Sequence, residues 1–250
     1  MTDDLAARPA DGATAGPAPG SRRDASPAKL AFYRLVRGLL VAFGRGWLRL
    51  RVEGGEHVPA DGPFVLAPVH RSNLDFFLVS SVTTRRMRYM GKDSLWRSRA
   101  LGWLISALGA FPVRRGAADR EALRTCLEVI RSGEPVVLFP EGTRRTGPVV
   151  ESIFDGAAYV AGRAGVPILP VGIGGSERAM PRGAKWIRPV RVAVVVGRPF
   201  TVGDGTAGER VPRSAVKAAS ARLQRELQEL FDLAQERVGS PNPPLPAGDR

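Results

Sequence analysis

From about residue 28 the chain alternates between two kinds of apolar spacing. Leu30, Phe32, Tyr33, Leu35, Val36, Leu39, Leu40, Phe43, Trp47 and Leu48 recur at helical intervals, with Lys29, Arg34, Arg37, Arg45, Arg49 and Arg51 between them. That spacing predicts a basic amphipathic helix. Residues 51–63 read as a short strand and a Gly/Pro-containing loop. Short continuous apolar runs then follow at 64–69, 88–91, 109–113, 134–139, 166–173 and 190–196, and runs of this length predict strands. Helical spacing fills the intervals 76–83, 95–108, 118–132 and 155–164, and a last helix is predicted over 211–238 from Val216, Leu223, Leu227, Leu230, Phe231 and Leu233. Strands alternating with helices, the strands being wholly apolar, predict an α/β fold: a mostly parallel central sheet flanked by helices.

The ends differ in composition. Residues 1–27 contain Pro9, Pro17, Pro19 and Pro27 and few large apolar groups, so a disordered N-terminal tail is expected. Residues 240–250 form a Pro-rich C-terminal tail, which leaves 28–239 as one folded domain. The first ~25 residues hold no apolar core of a signal peptide, and no apolar stretch reaches the ~20 residues that a membrane-spanning helix needs. The helix after residue 28 therefore has two readings. It packs on the core, or it lies in a membrane interface with its arginines on anionic headgroups and Phe43 and Trp47 in the acyl boundary.

Charge narrows the partners without choosing one. A formal net charge of +13 and a pI near 11.2 favour anions: nucleic acid, an anionic membrane surface, or phosphorylated small molecules. The lone Cys126 excludes an internal disulfide and falls on the inner face of a predicted helix, so it reads as a core residue and not as a nucleophile. With two histidines there is no HExxH and little to ligate zinc, and no metal or cofactor is expected. His57, in a polar loop, is expected to be merely solvated.

Candidate chemistry gathers at the carboxyl ends of the predicted strands, where α/β sheets build their ligand sites. The stretch VHRSNLD, residues 69–75, places a general base, His70, five positions before Asp75. In an unbroken helix that spacing separates two side chains by about 140°. The pair meets only across a strand-to-helix turn. Ser72 and Asp75 also match a capping box, S-x-x-D, in which case the carboxylate serves the helix terminus and His70 is incidental. Lys92, Arg114 and the loop Glu141-Gly142-Thr143-Arg144 stand at other strand ends. Guanidinium groups suit bidentate phosphate recognition, and the loop adds a pliant backbone and a hydroxyl. No GxSxG elbow is present. A base without a protein nucleophile points to a substrate hydroxyl as the attacking group.

The ordered blocks VHRSNLD, GAFPVRR, FPEGTRR and VPILPVGI resemble the four motif blocks of the glycerolipid acyltransferase superfamily, most closely its bacterial 1-acylglycerol-3-phosphate acyltransferases of the PlsC type. The resemblance spans roughly residues 28–200. It implies a glycerophosphate acyltransferase-like fold with an N-terminal membrane-docking helix, and His70 and Asp75 as the catalytic dyad. It also implies glycerophosphate binding by Arg114, Glu141, Gly142, Thr143 and Arg144, with Pro170 near the acyl donor. The implied reaction moves a fatty acyl group from acyl-CoA or acyl carrier protein to the sn-2 hydroxyl of lysophosphatidate, giving phosphatidate at the cytoplasmic face of the membrane. Val69 departs from the Asn that many relatives carry before the histidine. Three other readings stay open: a different acceptor, such as glycerol-3-phosphate or another lysophospholipid; a basic nucleic-acid-binding module; and a membrane-surface protein without catalysis. The absence of helix-turn-helix, zinc-finger or RRM signatures speaks against nucleic acid.

Overall fold

The computed structural model describes residues 26–113, 119–206 and 210–244, with the side chains of Lys92, Asp119 and Arg120 outside that description. The expected tails at 1–27 and 240–250 therefore lie largely outside the described residues. Helix α1 spans Pro27–Trp47. Ser26 caps it, its hydroxyl oxygen accepting Lys29 N–H at 3.4 Å, and Pro27 takes a position where no helical N–H is required. Its inner edge is narrow. Tyr33 and Gly44 are buried, Tyr33 Oη donates to Arg85 O, and Arg37 Nε donates to Ser80 O at 2.9 Å. The outer side leaves Leu35, Leu39, Phe43 and Trp47 exposed. The helix thus packs along one edge and presents an unpartnered apolar ridge along another.

Seven strands among the described residues are β1 (Arg51–Glu53), β2 (Val65–Pro68), β3 (Arg88–Lys92), β4 (Ala110–Val113), β5 (Val136–Val137), β6 (Ile168–Gly174) and β7 (Ala193–Val196). They form one sheet in the order β1-β7-β6-β2-β5-β3-β4. β6, β2, β5, β3 and β4 run parallel, β7 is antiparallel to β6, and β1 is parallel to β7. The mostly parallel sheet is as the apolar runs predict. The reversal at β7 is not: β3 and β4 are joined through the nine-residue α3 (Arg99–Ala107), whereas the connection from β6 to β7 holds only the four-residue α6 (Ser176–Ala179) and no crossover helix.

Helices α4 (Asp119–Arg131), α5 (Gly156–Ala164) and α7 (Arg213–Arg237) pack on one another and on the sheet. α2 (Asp75–Leu78) and α3 (Arg99–Ala107) form a second group with α1. Every residue of β2 and β6 is buried, which is why their sequences are continuous and not alternating. α7 lies so close to β6 that a Cβ on Gly172 or Gly174 would collide with the backbone of Leu230 or Ala234. At the far edge of the sheet Arg88 is buried, with Nη1 2.7 Å from Glu134 Oε2 and Nε donating to Gly109 O.

Two smaller expectations resolve in opposite ways. Cys126 is wholly buried, and desolvation pushes its thiol up to about 12, as fits a packed core residue. His57 is not merely solvated. Gly54, at φ +74°, turns the loop back onto β7, and His57 Nδ1 lies 2.9 Å from Val196 O. A carbonyl can only accept, so that nitrogen carries the proton.

Candidate active site

The site begins where β2 stops. After Pro68 the chain turns through residues 69–74 into α2, whose first residue is Asp75. That turn brings His70 Nδ1 to 3.0 Å from Asp75 Oδ2. A carboxylate only accepts, so Nδ1 holds the proton and Nε2 is left as the basic nitrogen. The same Oδ2 accepts the backbone N–H groups of Arg71 and Ser72, each at 2.7 Å. The two sequence readings of Asp75 are therefore both realised on one oxygen. Ser72 completes only half of a capping box: its hydroxyl accepts Leu74 N–H and donates to Met180 O at 2.9 Å. Asp75 is wholly buried and His70 is 7 % exposed. Phe139 lies 4.2 Å from the imidazole centroid and Phe76 meets it edge-on at 5.3 Å, so the ring is held on both sides.

Under the turn lies an ion pair. Arg71 Nη1 donates to both carboxylate oxygens of Glu141, at 2.7 and 2.6 Å, and Nη2 donates to Val149 O. Its guanidinium also lies 4.7 Å from the Phe231 ring centroid. Glu141 Oε1 accepts His70 N–H at 2.8 Å, and His70 O accepts Arg145 N–H. The loop after β5 is thus bonded to the backbone of His70 through both its N–H and its carbonyl.

Glu141, expected among the phosphate-binding residues, is 0 % exposed, and its carboxylate accepts from Arg71 and from His70 N–H. Gly142 sits at φ +67° and is bonded back to Phe139 O, and a Cβ there would come within 2.6 Å of the Phe154 ring. Gly142→Ala is expected to lower stability by about 1–2 kcal/mol and to displace Phe154. Urea unfolding of the purified variant measures the first effect. Thr143 is exposed. Arg144 is half-buried and has no hydrogen bond or ion pair among the described residues. Lys92 is the last residue of β3, its backbone paired with Val113, while its side chain is outside the description. Arg114 falls outside the described residues. Pro170 pairs with Ala67 inside the sheet and lines neither cavity described below. Val69 is fully buried, so an apolar residue suits its position before the histidine.

A cavity of about 620 Å³ opens beside the imidazole, walled by Val113, Leu123, Phe139, Gly142 and Phe154. A second cavity, of about 430 Å³, lies between α1, α3 and β3 and is lined mainly by apolar side chains, including Leu40, Phe77, Ile105 and Leu108. Phe76 and Met90 border both. They place the two spaces side by side, the first of them lined by His70. Burial pushes the Tyr89 phenol well above its usual range, so this wall of the second cavity stays neutral.

The strand-end histidine, the buried carboxylate that orients it and the parallel sheet beneath them define an α/β protein with a positioned general base at a strand end. The sequence profile of the Acyltransferase family matches residues 49–174, and the chain belongs to that family. It is 30 % identical over 156 residues to the chloroplastic 1-acyl-sn-glycerol-3-phosphate acyltransferase of Arabidopsis thaliana, a match covering 61 % of this chain and 44 % of the relative. The chain thus spans under half the length of that relative. It is 27 % identical over 224 residues to the 1-acyl-sn-glycerol-3-phosphate acyltransferase of Streptococcus pneumoniae, covering 85 % of this chain and 78 % of the other. Among solved structures it resembles the 1-acyl-sn-glycerophosphate acyltransferase PlsC of Thermotoga maritima, with TM-score 0.62 and 27 % identity, over 84 % of this chain and 85 % of that one.

Of the residues that matter here, Arg71 and the aromatic pair Phe76 and Phe139 were missed in the sequence. Arg71 lies within VHRSNLD, but its partner is 70 positions away and no local spacing links them. The usable signal is a glutamate just past the apolar run that ends at Phe139, where burial demands a cation.

Proposed function

We propose that the protein transfers a fatty acyl group from a thioester, acyl-CoA or acyl carrier protein, to the sn-2 hydroxyl of lysophosphatidate, yielding phosphatidate. The observation that carries this reading is the 3.0 Å bond from His70 Nδ1 to a buried Asp75 at the mouth of a cavity. His70 Nε2 takes the proton of the acceptor hydroxyl as its oxygen attacks the thioester carbonyl. Collapse of the tetrahedral adduct breaks the C–S bond, and the thiolate recovers the proton from Nε2. Asp75 holds the tautomer and stabilises the imidazolium in between. Atoms and charge balance without an acyl-enzyme, a metal or a cofactor.

Arg144, with no partner among the described residues, and Arg114, directly after the cavity-wall residue Val113, are proposed to take the acceptor's phosphate. Lys92, one strand nearer the dyad than β4, is proposed as a further cation, and Thr143 as a hydroxyl contact. The second cavity, apolar and adjoining the first at Phe76, is proposed to take an acyl chain. No helix among the described residues is long and apolar enough to cross a membrane. The exposed ridge of α1 supports a peripheral seat on the cytoplasmic face, with Leu35, Leu39 and Phe43 in the interface.

A panel of acceptors with one labelled acyl thioester tests the acceptor. Lysophosphatidate is expected to outpace glycerol-3-phosphate and uncharged lysolipids by at least about tenfold, because one lacks the acyl chain and the others lack the phosphate. Equal rates with glycerol-3-phosphate would reassign the substrate.

A further inference from the structure

Between β6 and β7, residues 181–191 form a segment that neither the turn at 69–74 nor the two cavities use. Trp186, at its centre, is 83 % exposed, more than any other large apolar side chain among the described residues. Arg182, Lys185, Arg188 and Arg191 surround it at intervals of three, all exposed, and none forms an ion pair among the described residues. No carboxylate occurs anywhere from residue 179 to residue 203. A large indole left in water beside four unneutralised cations has no folding rationale.

The segment is tied to α1. Trp47 Nε1 donates to Ile187 O at 3.0 Å. Trp47 is also the last member of the ridge Leu35, Leu39, Phe43, Trp47, whose four-residue spacing follows one row along the helix surface, and its ring stacks with that of Phe43. The residue that follows Trp186 is thus bonded to the C-terminal end of the ridge, where Arg45 and Arg49 are exposed as well.

We propose that residues 181–191 form a second membrane-contact element. Trp186 sits at headgroup depth, and Arg182, Lys185, Arg188 and Arg191 bind the phosphates of anionic lipids. Indole prefers that depth because its body is apolar and its N–H is polar, while each cation near an anionic surface strengthens attachment. Continuity with the apolar ridge favours a lipid surface over an acidic protein, whose contact would need charge alone. The inference rests on the seat of α1 on the membrane and adds to it a headgroup-selective contact. A flat ridge would bind any bilayer, whereas this segment makes binding depend on anionic lipid.

Sedimentation of the full-length protein with phosphatidylglycerol and with phosphatidylcholine vesicles tests this. Lys185→Glu/Arg188→Glu is expected to lower partition onto phosphatidylglycerol by at least about 25-fold, roughly fivefold per cation removed, and to change phosphatidylcholine binding little. Trp186→Ala is expected to lower partition onto both by about tenfold. Thermal melting, and turnover with short-chain substrates below their aggregation threshold, should not change in either variant. Leu39→Glu separates the two layers of the account. If it abolishes binding while the loop variants bind as wild type, α1 docks and the loop proposal is overturned. Wild-type protein that fails to sediment with either vesicle overturns both. Normal vesicle binding by the loop variants, with slower transfer from acyl carrier protein but not from coenzyme A, would reassign the loop to an acidic protein partner.

Discussion

His70→Ala is expected to lower turnover by about 10²–10⁴-fold while leaving the melting temperature near that of the wild type. The loss falls on kcat, because the imidazole acts as the acceptor hydroxyl loses its proton and again as the thiolate leaves. The space left between Phe76 and Phe139 lowers stability modestly, and the turn itself does not depend on the ring. Among the described residues the ring makes one hydrogen bond, to Asp75 Oδ2, and that oxygen keeps the N–H groups of Arg71 and Ser72 when the imidazole is gone. The turn is thus held by contacts independent of the base. Steady-state kinetics alongside a thermal melt checks both halves, and near-normal turnover would remove His70 from the mechanism.

Arg71→Ala is expected to have the opposite profile, with stability falling by about 3–5 kcal/mol. The change leaves Glu141 as an uncompensated charge at 0 % exposure, and it deletes the contacts to Val149 O and to the Phe231 ring. Activity should fall too, since Glu141 Oε1 holds His70 N–H and would lose its own anchor. Urea unfolding at neutral pH measures the effect. A loss under about 1 kcal/mol would mean that the ion pair is dispensable to the turn. Replacing both partners by apolar residues of matching size should restore much of the stability without restoring activity, which would separate folding from positioning.

The residues legible in the sequence were those whose constraint is local. The runs at 64–69 and 166–173 announce fully buried parallel strands because helices cover both faces, and β2 and β6 lie there. His70 and Asp75 were legible because a five-residue interval makes sense only across the turn that forms. Strand direction at β7 is not legible, since an apolar run reads the same either way and the connection from β6 is as long as the one that joins the parallel β3 and β4. The burial of Glu141 is hidden in the sequence for a related reason. A carboxylate beside a glycine and an arginine looks exposed in the sequence, and the Arg71 that buries it comes from another strand end. His57 likewise depends on a carbonyl 139 positions away. Long-range polar pairing leaves no periodic trace, whereas apolar burial does.

The most direct test of the central claim is the position of label in the product of a single turnover. Purified protein receives one equivalent of radiolabelled acyl thioester with lysophosphatidate, and the product is cleaved with an sn-2-specific lipase. The account predicts labelled phosphatidate with the label released wholly from the sn-2 position, formed by the wild type and not detectably by His70→Ala on the same timescale. Label retained at another position, label left on the protein, or equal product from the His70→Ala variant would contradict it.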